Sequence, residues 1–222
     1  MSNKVIDYSI YLLTDDACLK GRSLLACVEE ALRAGVTLLQ YRSKFKDGGP
    51  MYKEALELNA LCDKYSVPLI INDRVDVALA VGAAGVHVGQ DDLPCTVVRA
   101  LAQAAGREDF IIGVSAHNPE EARQAEQDGA DYLGCGAVFG TATKPGVAKL
   151  GLANLRAIRE AVKLPIVGIG GVNASNYDEV LATGANGAAI ISGILGVDNI
   201  NAEVNKFLSV CKKRKSTMPT EL

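Results

Sequence analysis

Two aspartates and three cations are the residues of this chain best placed to do chemistry. Asp73 follows the apolar run P-L-I-I-N from Pro68, and Asp92 stands in the loop after the next run, G-V-H-V from Gly85. Two carboxylates on one rim offer hard oxygen ligands; with a substrate phosphate completing the shell, that set suits Mg2+. Arg42 and Lys44 end the segment T-L-L-Q-Y-R-S-K, and Lys144 lies in G-T-A-T-K-P-G. Cations beside a carboxylate-bound metal match a polyphosphate better than a bare carboxylate substrate. Each aspartate taken alone also reads as a helix cap, because N-D-R-V-D and D-D-L-P both lead into helical patterns.

Other polar groups fall at similar places. A strand sends alternate side chains to one face, so Gln40, Arg42 and Lys44 are expected to point together, with Tyr41 and Ser43 turned away. Thr141, Thr143 and Lys144 share a Gly-rich segment that can close over a ligand or serve as a surface loop. Asn72, His87, Ser115 and His117 also stand at or just past strand ends. G-I-G-G-V-N-A-S from Gly168 and I-I-S-G-I-L-G from Ile190 are Gly-rich, and glycine lets backbone N–H groups approach an anion. There is no nucleophile elbow, H-E-x-x-H or P-loop. A histidine general base is not expected, and the cysteines carry no mark of an activated thiolate.

The elements that must carry these residues alternate along the chain. Short apolar runs starting at residues 9, 37, 68, 85, 110, 132, 165 and 187 are separated by amphipathic stretches, among them those from Ser23, Pro119 and Asn154. A Gly-containing phrase recurs before strands near Ala34, Gly82, Gly129 and Gly184, marking the same helix-to-strand turn. Eight strand and helix units predict one single-domain α/β chain over residues 1–222, a (β/α)8 TIM barrel, with 212–222 as a frayed tail. An open doubly wound sheet is the structural alternative, but no G-x-G-x-x-G follows the first strand. In a barrel the active face lies at the C-terminal strand ends, where all these polar residues fall.

Composition narrows the partners. A net charge of −3 gives no reason to expect nucleic acid or an anionic membrane, so a cationic patch must be specific. Six scattered cysteines without C-x-x-C spacing, no secretory leader pattern and no span-length apolar stretch predict a cytoplasmic protein. A homo-oligomer is permitted by an apolar outer helix face.

The succession Y-L-L-T-D, Q-Y-R-S-K, I-I-N-D-R-V-D-V-A-L-A-V-G-A-A-G-V-H-V-G-Q-D-D-L-P, I-I-G-V-S-A-H-N, G-A-D-Y-L-G-C-G-A-V-F-G-T-A-T-K and P-I-V-G-I-G-G-V resembles the thiamine-phosphate synthase family from about Tyr11 to Gly193. The resemblance implies a Mg2+-assisted transferase on a (β/α)8 barrel. It would join 4-amino-2-methyl-5-hydroxymethylpyrimidine diphosphate to 4-methyl-5-(2-phosphoethyl)thiazole, releasing diphosphate. It further implies that Gln40, Arg42, Lys44, Asn72 and Lys144 contact the pyrimidine diphosphate, that Asp73 and Asp92 hold the metal, and that Ser115 sits by the pyrimidine or leaving group. Thr141, Thr143, Gly171, Ile191 and Ser192 would receive the thiazole phosphate. Ala137 and Gly140 depart from the G-P-V-F-P-T often found in the family, which leaves the sixth loop less constrained. A related thiazole tautomerase is the nearest rival; it uses a His and a Cys where this chain holds Ser115 and Ala137. A non-catalytic thiamine phosphate binding module is the other.

Overall fold

The structure, a computed structural model, describes residues 6–140 and 149–217. Eight parallel strands close into a barrel in chain order: β1 (Ile10–Leu13), β2 (Leu38–Tyr41), β3 (Leu69–Asn72), β4 (Gly85–Val88), β5 (Ile111–Ala116), β6 (Tyr132–Gly136), β7 (Ile166–Ile169) and β8 (Gly187–Ile190). Between them run α1 (Leu24–Ala34), α2 (Gly48–Tyr65), α3 (Val75–Ala80), α4 (Cys95–Ala104), α5 (Pro119–Gln127), α6 (Gly151–Ala161) and α7 (Tyr177–Leu181). The short α8 (Ser192–Leu195) and the long α9 (Ile200–Thr217) follow β8. The open-sheet alternative fails because β8 pairs with β1, Ala189 opposite Tyr11.

Local chemistry accounts for the elements. Ser23 caps α1 by accepting from the Ala26 backbone N–H. The apolar stripe of α1, including Cys27, Val28, Ala31 and Leu32, is buried against the barrel. Gly35, Gly82, Gly129 and Gly184 all have φ between +68° and +114°, so the recurring sequence phrase is a helix stop that only glycine makes without strain. Two apolar layers result. Alternate strand residues such as Leu12, Leu39 and Ile71 face the helices, while Tyr11, Leu38, Ile70, Tyr132 and Val167 fill the barrel interior.

Three boundaries differ from the sequence reading. Helix α6 begins at Gly151, and Asn154 lies inside its first turn, donating back to the Leu150 carbonyl rather than capping. Helix α9 runs to Thr217, into the segment from residue 212 that was expected as a tail, and Phe207 and Val204 anchor it in the core. Strand β2 ends at Tyr41, so strict alternation does not carry Lys44 to the face that holds Gln40.

Candidate active site

A cavity opens at the C-terminal end of the barrel, lined by Gln40, Arg42, Asn72, Ser115, His117, Gly171, Ile191 and Ser192 among others. Its walls also include Tyr11, His87, Ala137 and Gly170. Five of the eight strands therefore send a polar side chain toward one mouth. Lys44, Asp73 and Asp92 do not line the cavity itself; they stand in the loops after β2, β3 and β4, Lys44 and Asp92 exposed and Asp73 half-buried. Thr141, Thr143 and Lys144 lie outside the described residues.

Arg42 is held from two directions. Its backbone N–H donates to Thr14 Oγ1 at 2.8 Å, and its Nη1 meets Asp15 Oδ2 at 2.9 Å. Both side chains of that ion pair are mostly buried, at 15% and 12% exposure. Only one guanidinium nitrogen is used in that pair, and among the described residues no other acceptor takes its remaining donors, which have the fork geometry suited to a phosphate. Asp15 and Thr14 were not singled out by sequence reasoning; T-D-D after the first apolar run was the available signal.

The carboxylates do not do the structural job that the cap reading assigned them. The N-cap residue of α3 is Arg74 and that of α4 is Pro94, and neither helix has a side-chain cap bond. Asp73 instead sits in the left-handed region at φ +63° and pairs with Lys44 Nζ at 2.6 Å. A non-glycine residue in that region signals a backbone shaped by something other than local preference. Asp92 Oδ2 accepts from the Gly89 backbone N–H at 2.7 Å. Strands β3 and β4 pair directly, with Asn72 opposite His87, so both loops issue from neighbouring points of the rim. Among the described residues no cluster of three or more potential ligands exists. Two carboxylates still fit Mg2+, which binds through one or two of them plus substrate phosphates. One of them already pairs with a cation at this position.

Beneath the mouth lies a connected polar floor. Gln40 Nε2 donates to Tyr11 Oη at 2.7 Å, Tyr11 Oη is 2.7 Å from Tyr132 Oη, Tyr132 Oη is 3.0 Å from His87 Nδ1, and His87 Nε2 is 3.1 Å from Ser115 Oγ. Burial pushes the His87 pKa down to about 4, so its ring is neutral at pH 7. Cys135 is inert by the same cause: burial raises its thiol to about 12. Tyr11 and Tyr132 escaped the sequence reading because an all-apolar strand does not reveal which parity faces the barrel interior.

Strands β7 and β8 stand across the barrel from β3 and β4 in the closed strand order. Gly170 and Gly171 have φ of +96° and +68° there, and a side chain on Gly170 would meet Ala137 Cβ at 2.5 Å. Bare backbone thus lines that wall, beside Ile191 and Ser192.

The fold is a (β/α)8 barrel with polar residues gathered at its C-terminal mouth, where barrel enzymes place their active sites. A model of the thiamine monophosphate synthase family matches residues 10–194. The chain belongs to the thiamine-phosphate synthase family. It is 45% identical over 213 residues to the thiamine-phosphate synthase of Clostridium acetobutylicum, covering 96% of this chain and 99% of that one. Identity to the Chloroflexus aurantiacus thiamine-phosphate synthase is 49% over 204 residues, or 91% and 92% of the two chains. The solved thiamine phosphate pyrophosphorylase from Pyrococcus furiosus superposes with a TM-score of 0.85 at 38% identity, covering 94% of this chain and 97% of that one.

Proposed function

We propose that this cavity carries out the family's reaction on the residues described above, joining the aminopyrimidine diphosphate to the thiazole phosphate to give thiamine phosphate and diphosphate. The observation that supports the assignment is that Arg42 lines the cavity, Lys44 pairs with Asp73 just past β3, Asp92 follows the neighbouring β4, and neither aspartate caps a helix.

Breaking the methylene–oxygen bond of the pyrimidine diphosphate leaves negative charge on the departing group, and the chain's task is to neutralise it. Arg42 and Lys44 meet the diphosphate oxygens, Lys44 leaving Asp73 to do so. Mg2+ held by Asp73 and Asp92 would supply further charge neutralisation when bound. Gln40, Asn72 and Ser115 orient the pyrimidine from the cavity walls. The thiazole nitrogen attacks the methylene carbon, its phosphate held by Gly171, Ile191 and Ser192 on the far wall, and orientation replaces a covalent catalyst. Thr141, Thr143 and Lys144 are assigned to phosphate contact on sequence grounds. Ser115 and Ala137 both line the cavity, and neither can shuttle protons as the His and Cys of a thiazole tautomerase would, which favours the transferase.

The same reading makes the partners two small molecules rather than nucleic acid, and the compartment the cytoplasm. The charge balance and six free thiols support it. Among the described residues no helix is long and apolar enough to cross a membrane. Exposed Tyr52 and Leu56 on α2, with Val97 and Leu101 on α4, supply apolar surface that a homo-oligomer would bury.

The test is thiamine phosphate formation from both substrates with Mg2+, and again after chelation. Arg42→Ala and Asp92→Ala are each expected to lower kcat roughly a hundredfold or more, the scale for losing one group that meets developing charge. Undiminished turnover in Asp92→Ala removes the metal role; no product from well-folded wild type overturns the reaction.

A further inference from the structure

The polar floor has a direction. Gln40 donates to Tyr11 Oη through Nε2, and a phenol carries one proton. The Tyr11 proton therefore goes to its remaining partner, Tyr132 Oη, at 2.7 Å. Tyr132, now an acceptor from Tyr11, spends its own proton on His87 Nδ1 at 3.0 Å. A phenol can donate to Nδ1 only if that nitrogen is bare, so the neutral ring carries its proton on Nε2 and donates to Ser115 Oγ at 3.1 Å. Ser115 Oγ has no other partner among the described residues, and Ser115 lines the cavity. Its hydroxyl proton is left pointing at whatever the cavity holds.

We propose that Gln40, Tyr11, Tyr132, His87 and Ser115 form a one-way hydrogen-bond relay that presents Ser115 to the substrate as a hydrogen-bond donor, with Gln40 setting the polarity and Tyr132 the positioning residue that passes it on by fixing the His87 tautomer. The inference rests on the cavity being the substrate site. It adds a preference: the Ser115 hydroxyl proton is satisfied only by an acceptor, a ring nitrogen or a phosphate oxygen, whereas an N–H or O–H in that place leaves the proton unpaired.

The backbone is shaped for this relay. A side chain on Gly113 would lie 2.2 Å from the Tyr132 ring, and one on Gly134 would lie 2.9 Å from His87 Cε1. Glycine at the paired positions Gly113, opposite both His87 and Tyr132, and Gly134, opposite Ser115, makes room for both rings. Tyr11, Tyr132 and Gln40 are at most 2% exposed and His87 is 9% exposed, so bulk water does not compete for the protons. Burial raises both phenols, so Tyr11 and Tyr132 keep their protons near pH 7. The opposite polarity is a defined state too. With the Gln40 amide turned, Tyr11 would donate to Gln40, Tyr132 to Tyr11, His87 Nδ1–H to Tyr132 and Ser115 to His87 Nε2. Ser115 would then be an acceptor from the substrate, and the His87 tautomer distinguishes the two.

His87 and His117 are the chain's two histidines, so protein labelled with 15N-histidine gives two imidazoles, which a His117→Gln variant assigns. Long-range proton–nitrogen correlation on the free full-length protein at pH 7 is expected to show His87 protonated at Nε2 and bare at Nδ1. Tyr132→Phe should abolish that preference and raise KM for the pyrimidine diphosphate roughly tenfold to a hundredfold, the cost of leaving buried polar groups unpaired. KM for the thiazole phosphate should stay within about twofold, since the relay does not reach that wall. Tyr11→Phe, which removes the donor that turns the Tyr132 proton toward His87, should weaken the Nε2–H preference, and an unchanged preference there overturns the part played by Tyr11. Protonation of His87 at Nδ1 in wild type overturns the relay, and an unchanged tautomer in Tyr132→Phe overturns the role of Tyr132. The tautomer is read without substrate, so failure of the relay and failure of the reaction assignment are separate results.

Discussion

His87 shows how one residue couples burial to stability. Its ring is enclosed by Tyr132 and Ser115, and burial lowers its pKa from 6.5 to about 4 in the folded protein. The unfolded chain binds that proton first as pH falls, so folding loses stability between about pH 6.5 and pH 4 and the contribution is intact above that window. The full loss is about 3 kcal/mol, taking 1.4 kcal/mol per unit of pKa. Urea unfolding at pH 7 and pH 4.5 should show most of it, while the His87 resonance of the folded protein stays in its neutral form at pH 5.5. A titration of the folded ring near 6.5 would contradict the burial account. Arg42 makes a different point, because its charge was evident from the sequence while its aim was not. Asp15 and Thr14, from the end of β1, decide where the guanidinium sits.

At the scale of elements, glycine does two separate jobs, and one substitution tells them apart. Gly129 turns α5 into β6 at φ +86° with open space around it, so Gly129→Ala should cost about 1 kcal/mol through backbone strain alone. Asn, which tolerates the left-handed region, should recover part of that loss. Gly113 has no such conformation, yet Gly113→Ala should cost about 2 kcal/mol because the new methyl drives into the buried Tyr132 ring. Chemical denaturation midpoints for the three variants check the contrast. Equal losses at the two sites would mean that the β5 strand yields to the methyl. The elements themselves were largely legible in the sequence: eight apolar runs and four glycine stops fell where strands and turns lie. The start of α6 and the extent of α9 were less so, since Asn154 looks like a cap and a basic run looks like a tail.

For the molecule as a whole, closure puts the ends of β3 and β4 across one mouth from the glycine wall of β7 and β8, the two places proposed to take anions. Ligands that bind only the folded state raise its stability, by about 2.7 kcal/mol at a hundredfold excess over Kd. Mg2+ and inorganic diphosphate together should therefore raise Tm by more than the sum of their separate effects. In Asp92→Asn that excess should vanish while the shift caused by the thiazole phosphate survives. Loss of both shifts would mean one site rather than two.

The sequence by itself determined the barrel, because alternating apolar runs of strand length and amphipathic helices with glycine stops have few ways to bury their faces. It also determined that Arg42, Lys44, Asp73, Asp92 and Ser115 fall at strand ends, since position along an element is a one-dimensional property. Only the tertiary structure decided that Lys44 meets Asp73, that Arg42 is aimed by Asp15, and that Tyr11 from β1 and Tyr132 from β6 touch. Those contacts join residues 27 to 121 positions apart, and their geometry depends on strand register and barrel closure, which local pattern does not encode.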